Sequence, residues 1–149
     1  MQNHMAGHQV RRKWPISATT STGQGGSVNR LKLTLPIVPS VNHCYRNVSV
    51  HRRILTKIGQ AWKSESQYIA RTEAMRQGWV FTQKEKIIME VWTYWPDYRR
   101  RDTHNAHKLL ADALESILYD DDRYVLMRDM DYNVDKKNPR VEIVLMLHK

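Results

Sequence analysis

The sequence predicts an α/β domain of the α+β kind, with one mixed β-sheet packed with two main helices. Three observations carry this. The chain has 149 residues, a length that suits one domain with a real core. Its apolar residues alternate with period two in some segments and recur with helical period in others. These segments follow one another as strand, helix, strand, helix, strand, strand, with no internal repeat.

Residues 1–28 are expected to form a flexible arm. "ISATTSTGQGGSVNR" is rich in Ser, Thr and Gly and has no apolar period, and the preceding "HQVRRKW" is basic. Such a stretch is either disordered or an arm that touches DNA or a partner subunit. The domain proper is residues 29–149. "RLKLTLPIV" alternates Leu31, Leu33 and Leu35 with polar neighbours, which predicts the first strand. "PSVNHCYRN" is predicted as loop from its Pro, Ser and Asn. Residues 59–77 contain no interior Pro or Gly and set Trp62, Ile69 and Arg76 at heptad spacing, with Ala61, Tyr68 and Met75 beside them. A helix is predicted there, ended by Gly78.

"KIIMEVWTYW" is β-branched and aromatic and stops at Pro96. Both of its faces are largely apolar, as an inner strand requires. Ala106, Leu109, Leu110, Ala113, Leu114, Ile117 and Leu118 form one helical stripe, which predicts the second helix. "YVLMRDMDYNV" and "RVEIVLMLH" read as two more strands joined by "DKKNP", with Asn138-Pro139 as the turn signal.

Charge narrows the function classes. Lys+Arg total 24 against Asp+Glu 15, a formal net charge of +9. Such an excess points to a polyanionic partner, nucleic acid before an anionic membrane. No apolar run approaches the roughly 20 residues that span a bilayer, and no charged-then-apolar leader is expected. Cys44 is the single cysteine, so no intramolecular disulfide forms and a cytoplasmic setting is expected. Without CxxC or HExxH spacing, no structural zinc site is expected.

The stretch "DYRRRDTHNAHKLLADALESILYDDD" gathers acid at both ends of a helix in a basic chain. Asp102 or Thr103 can cap the helix start. His104, Lys108 and Asp112 follow at i, i+4 spacing on one face. Asp120, Asp121 and Asp122 lead into the next strand, which can return beside the strand ending at Trp95. Carboxylates brought together repel one another unless a cation offsets the cost, and Mg²⁺ favours carboxylates with water and phosphate oxygens. A carboxylate-held metal in a basic protein suits phosphodiester hydrolysis. The bland readings stand beside this one: an N-cap at Asp102, a solvated acidic turn at 120–122, a surface pair Lys108–Asp112, and a solvated basic turn at Arg99–Arg101.

The same stretches carry a resemblance. "LTLPIVPSVNHCYRN", "GQAWKSESQYIA", "RRRDTHNAHKLLADAL…DDDRYV" and "NPRVEIVL" resemble the motifs of the RusA-type Holliday-junction resolvases, over about Leu31 to Leu147. The resemblance implies a small homodimeric endodeoxyribonuclease of bacteria and prophages that resolves four-way junction DNA with Mg²⁺ (or Mn²⁺). Asp102 matches the first catalytic aspartate, Asn105 the asparagine after it, and Lys108 the catalytic lysine. Asp121 and Asp122 match the acidic pair before the next strand, with Asp122 the better match to the essential one. The implied metal ligands are Asp102, Asp122 and Asp121. One position departs from the pattern: His104 stands where the family has a second aspartate. Imidazole suits Mn²⁺ better than Mg²⁺. His104 is therefore a further ligand, a general base, or the mark of a weakened or inactive junction-binding protein of phage origin. Arg46, Arg99, Arg100 and Arg101 are the expected phosphate contacts.

Overall fold

A computed structural model describes residues 29–101 and 103–148, without the side chains of Val41 and Asn105. The arm expected at residues 1–28 lies outside the described residues. The elements are β1 (Arg30–Pro36), α1 (Val41–Cys44), β2 (Tyr45–Ser49), β3 (Arg52–Leu55), α2 (Lys57–Gln77), β4 (Ile87–Trp95), α3 (Thr103–Leu114), a 3-10 turn (Asp122–Tyr124), β5 (Val125–Val134) and β6 (Arg140–Leu147). The main sheet is mixed, in the order β1-β6-β4-β5. β6 pairs antiparallel with β1 and β4, and β4 pairs parallel with β5. β4 is thus an inner strand, as its two apolar faces require.

Alternation sends one side of each strand to the helices. Leu31, Leu33 and Leu35 of β1, Ile87, Met89 and Val91 of β4, and Val141, Ile143 and Leu145 of β6 pack with Trp62 and Ala70 of α2 and with Leu109, Leu110, Ala113 and Leu114 of α3. The far side carries a smaller cluster of Trp92, Tyr94 and Val144. Arg140 is buried on that side. Its Nε donates to Glu142 Oε2 at 3.0 Å, its Nη1 donates to Asp135 Oδ2 at 2.9 Å, and its guanidinium lies 3.9 Å from the Tyr94 ring centroid.

Several expectations need correction. The predicted loop at 39–47 contains α1 and the start of β2. Ser40 drives this locally: its Oγ accepts from Asn42 N, and its carbonyl accepts from His43 N and Cys44 N. The hairpin β2–β3, a separate two-stranded sheet, was absent from the expected order because its residues are short, basic and mostly exposed. In α2 the buried row is Gly59, Trp62, Ser66 and Ala70, while Tyr68 and Met75 are exposed. The heptad row through Ile69 and Arg76 misled because, Trp62 apart, the buried row is built of small residues, and Ile69 is only partly buried against the core. Thr56 caps this helix by accepting from Gly59 N, and Gly78 ends it at φ 75°. α3 is shorter than its apolar stripe. It ends at Leu114, and Ile117 and Leu118 belong to a turn in which Ser116 has φ 69°.

Candidate active site

α3 connects two parallel neighbours, so it runs back from the end of β4 to the start of β5. Its first turns face β5 partway along, and its last turn meets the segment entering β5. That segment is fixed to the core. Tyr119 is fully buried and donates its hydroxyl to Ala111 O at 2.8 Å. Trp79 Nε1 donates to Leu118 O at 2.9 Å, and Asp120 N donates to Thr82 O at 3.1 Å.

The three consecutive aspartates then take three different roles. Asp120 accepts from Lys84 N and closes a loop. Asp121 caps the 3-10 turn by accepting from Arg123 N, and its Oδ2 lies 2.8 Å from Arg123 Nη2. The hydrogen bonds from Arg123 hold its carboxyl below the usual range. Asp122 faces other acids. Its backbone N–H donates to Glu115 Oε2 at 2.9 Å, and its carboxyl meets that of Asp112. Glu115, Asp121 and Asp122 offer ligand atoms that all lie within 4.8 Å of one another, each residue half-buried.

Asp112 reports the electrostatic state of this cluster. Burial raises its pKa first, and the neighbouring Asp122 and Glu115 raise it further, against the opposing pull of Lys108. Lys108 Nζ lies 3.7 Å from Asp112 Oδ2 and is otherwise open to solvent. Tyr45, at the root of the β2–β3 hairpin, is raised by burial and then by Asp112 beside it. The hairpin carrying exposed Arg46 is thereby attached to the acidic cluster.

His104 stands elsewhere. It groups with His107 and Asp129, whose ligand atoms also lie within 4.8 Å of one another. Eight residues of helix, about 12 Å of rise, separate His104 from Asp112. The structure therefore sets Asp121 and Asp122 by the last turn of α3, with Lys108 reaching Asp112 from mid-helix, and groups His104 apart from those carboxylates. Asp102 lies outside the described residues.

The arginines differ from one another. Arg99 and Arg101 both engage Asp97, with N–O separations of 3.2 and 2.6 Å. Arg101 also lies over Trp95, 4.9 Å from the ring centroid. Arg100 is exposed and has no ion-pair partner among the described residues. All three line a cavity of about 570 Å³ together with Tyr98, Asp129 and Tyr132.

Sequence reasoning passed over Glu115, His107 and Asp129, and took Asp112 as a member of a surface pair. A signal for Asp129 exists. Val125 and Met127 face the core, and Asp129 is the next residue of that alternation, a carboxylate where an apolar side chain would continue the stripe.

A domain that ranges carboxylates and imidazoles along one helix, beside a cavity lined by three arginines and by Asp97, Asp129 and Asp131, has the equipment of a phosphodiester-processing protein. The family model of the endodeoxyribonuclease RusA matches residues 35–146, from the end of β1 into β6, and the chain belongs to that family. Membership implies Holliday-junction resolvase activity. No curated protein gives a significant match. Among the described residues no helix is long and apolar enough to cross a membrane.

Proposed function

We propose that the chain is a divalent-metal-dependent, structure-selective endodeoxyribonuclease that resolves four-way junctions by paired phosphodiester hydrolysis. The observation that carries this reading is the convergence of Asp122 on Asp112 and Glu115, in a chain of net charge +9. The pKa of half-buried Asp112 is raised despite Lys108 3.7 Å away, which fits a further cation, Mg²⁺ or Mn²⁺, bound among these acids. Asp122, with Asp121, Asp112 and Glu115 around it, would hold that ion, and Asp102 joins the ligand set on the family resemblance. When bound, the ion supplies Lewis-acid charge for hydrolysis.

The chain's own side chains do the rest. Lys108, its ammonium open to solvent beside Asp112, offsets the charge that builds on the attacked phosphate. Arg46, Arg99, Arg100 and Arg101 grip the backbone, and exposed Tyr98 and Tyr132 offer faces to unpaired bases. A homodimer is part of the reading, since two-fold symmetry suits paired nicks in opposed strands. So is a cytoplasmic setting, where buried Cys44 stays a thiol.

His104, in place of the family's aspartate, favours a second reading: a junction-binding protein that has lost cleavage. A synthetic four-way junction separates the two. We expect symmetric nicks on addition of Mg²⁺ or Mn²⁺, the faster rate with Mn²⁺, and a dimer mass by light scattering. Tight binding without nicks under either metal would establish the second reading.

A further inference from the structure

We propose that His104, His107 and Asp129 form a transition-metal site, distinct from the carboxylates at Asp122, that takes Zn²⁺ or a cation of like coordination chemistry such as Co²⁺. Two imidazoles at i, i+3 project from one face of α3, and the carboxylate comes from β5 opposite. All three ligand atoms lie within 4.8 Å of one another. His107 Nε2 is 2.8 Å from Asp129 Oδ1, and the two imidazole rings meet edge-to-face with centroids 5.5 Å apart.

Ligands held about 2.0–2.2 Å from one cation sit roughly 3–3.5 Å from each other. Small side-chain rotations reach that spacing from the observed one. A His–Asp hydrogen bond needs no second imidazole, whereas a metal site of two nitrogens and one oxygen does. That donor set is the one that leaves an open position on catalytic zinc, and it is poor for Mg²⁺.

Two features support Asp129. Its second oxygen accepts from Thr103 Oγ1 at 3.4 Å, the kind of outer contact that orients a ligating carboxylate. A register shift follows it directly: Val91 pairs with Asp129 but Trp92 pairs with Asp131. This bulge confines the break in pairing to Met130, and the unbroken alternation before it, from Val125 and Met127, sets Asp129 on the helix side. Asp129 also lines the cavity that holds Arg99, Arg100 and Arg101. A cation held there would lie in the same cavity as those arginines and would supply charge to a phosphate oxygen, a use that rests on the nuclease reading; metal binding itself does not.

The test uses the metal-free full chain carrying His4→Ala and His8→Ala, so that histidines of the N-terminal segment do not contribute. Co²⁺ is titrated in and visible absorption is read. With excess Mg²⁺ present to fill the carboxylates at Asp122, we expect one equivalent of Co²⁺ to bind and one of Zn²⁺ to displace it. His107→Gln and Asp129→Asn should each weaken binding by about tenfold to a hundredfold, and His43→Gln, at an exposed histidine outside the group, should leave it unchanged. Melting curves of each variant, with and without Zn²⁺, confirm a folded chain and should show the Zn²⁺-dependent rise lost only in the first two. Absence of Co²⁺ binding overturns the site, as does binding retained in both His107→Gln and Asp129→Asn or lost in His43→Gln. Co²⁺ binding in a protein that fails to nick junctions would count against the nuclease reading alone.

Discussion

Arg101 Nη1 lies 2.6 Å from Asp97 Oδ1 while its guanidinium covers the Trp95 ring at 4.9 Å. One arginine of the basic run thus braces the turn from β4 to α3, and its neighbours face outward. Arg101→Ala should cost about 1 kcal/mol of stability through the lost cation–π contact, whereas Arg100→Ala should stay within about 0.5 kcal/mol of wild type. Chemical denaturation measures both.

The exposed arginines should instead show in DNA binding. Each phosphate contact releases counterions, with a log–log slope of roughly −0.9 per contact on duplex DNA. Arg99→Ala with Arg100→Ala should therefore flatten the salt dependence of junction affinity by close to two such contacts. An unchanged slope would place these arginines away from the nucleic acid.

Asp97 gives the turn a pH dependence whose sign follows from its partners. The side-chain hydrogen bond from Arg101, then the Arg99 backbone N–H, hold its carboxyl far below the usual range. A depressed folded-state pKa contributes stability above the unfolded value, about 3.9, and that contribution is lost as pH falls through the folded value. The turn should stay braced at neutral and mildly acid pH. An NMR titration of the Asp97 carboxyl should show a midpoint well below that of a peptide aspartate, rising in Arg101→Ala. A wild-type midpoint near 4 would mean the pair does not form in solution.

Gly59, in the motif shared with the family, is required by close approach. A Cβ there would meet Cys44 O at 2.6 Å and Leu55 Cδ2 at 3.0 Å. Gly59→Ala should cost about 1–3 kcal/mol, because α2 must move off the root of the hairpin that places Tyr45 against Asp112. A urea midpoint equal to wild type would show that the contact yields freely.

Arg140 is the charge whose loss should matter most to the fold. Arg140→Leu leaves Glu142 buried and Asp135 largely buried with no cation between them, and removal of one partner from a buried pair costs about 3–5 kcal/mol. Burial already raises the Glu142 pKa despite the arginine. A melting temperature near wild type would show that water reaches these carboxylates.

The fold was legible wherever a side-chain period met the core: β1 in Leu31, Leu33 and Leu35, β4 in its two apolar faces, α3 in Leu109, Leu110 and Leu114. It was not legible where the local signal was weak or tertiary. The β2–β3 hairpin has little apolar content to reveal it, and α1 depends on hydrogen bonds to Ser40. α3 stops before its stripe does, because Leu118 is buried, and Ile117 partly buried, by a turn held on Trp79. In the candidate site, the acids on either side of α3 could be read from spacing. The separate roles of Asp120, Asp121 and Asp122 could not, since they are set by Lys84, Arg123 and Glu115 across the turn. Nor could the pairing of His107 with Asp129, which depends on where β5 returns.

The most direct test of the metal-dependent nuclease reading is Asp122→Asn on a synthetic four-way junction, with binding and nicking measured together in Mg²⁺ and in Mn²⁺. The amide preserves shape and removes the charge that would hold the cation. We expect junction binding within a few fold of wild type and nicking reduced on the order of a hundredfold or more. Nicking at the wild-type rate in this variant, or wild-type nicking that persists in excess chelator, would overturn the reading.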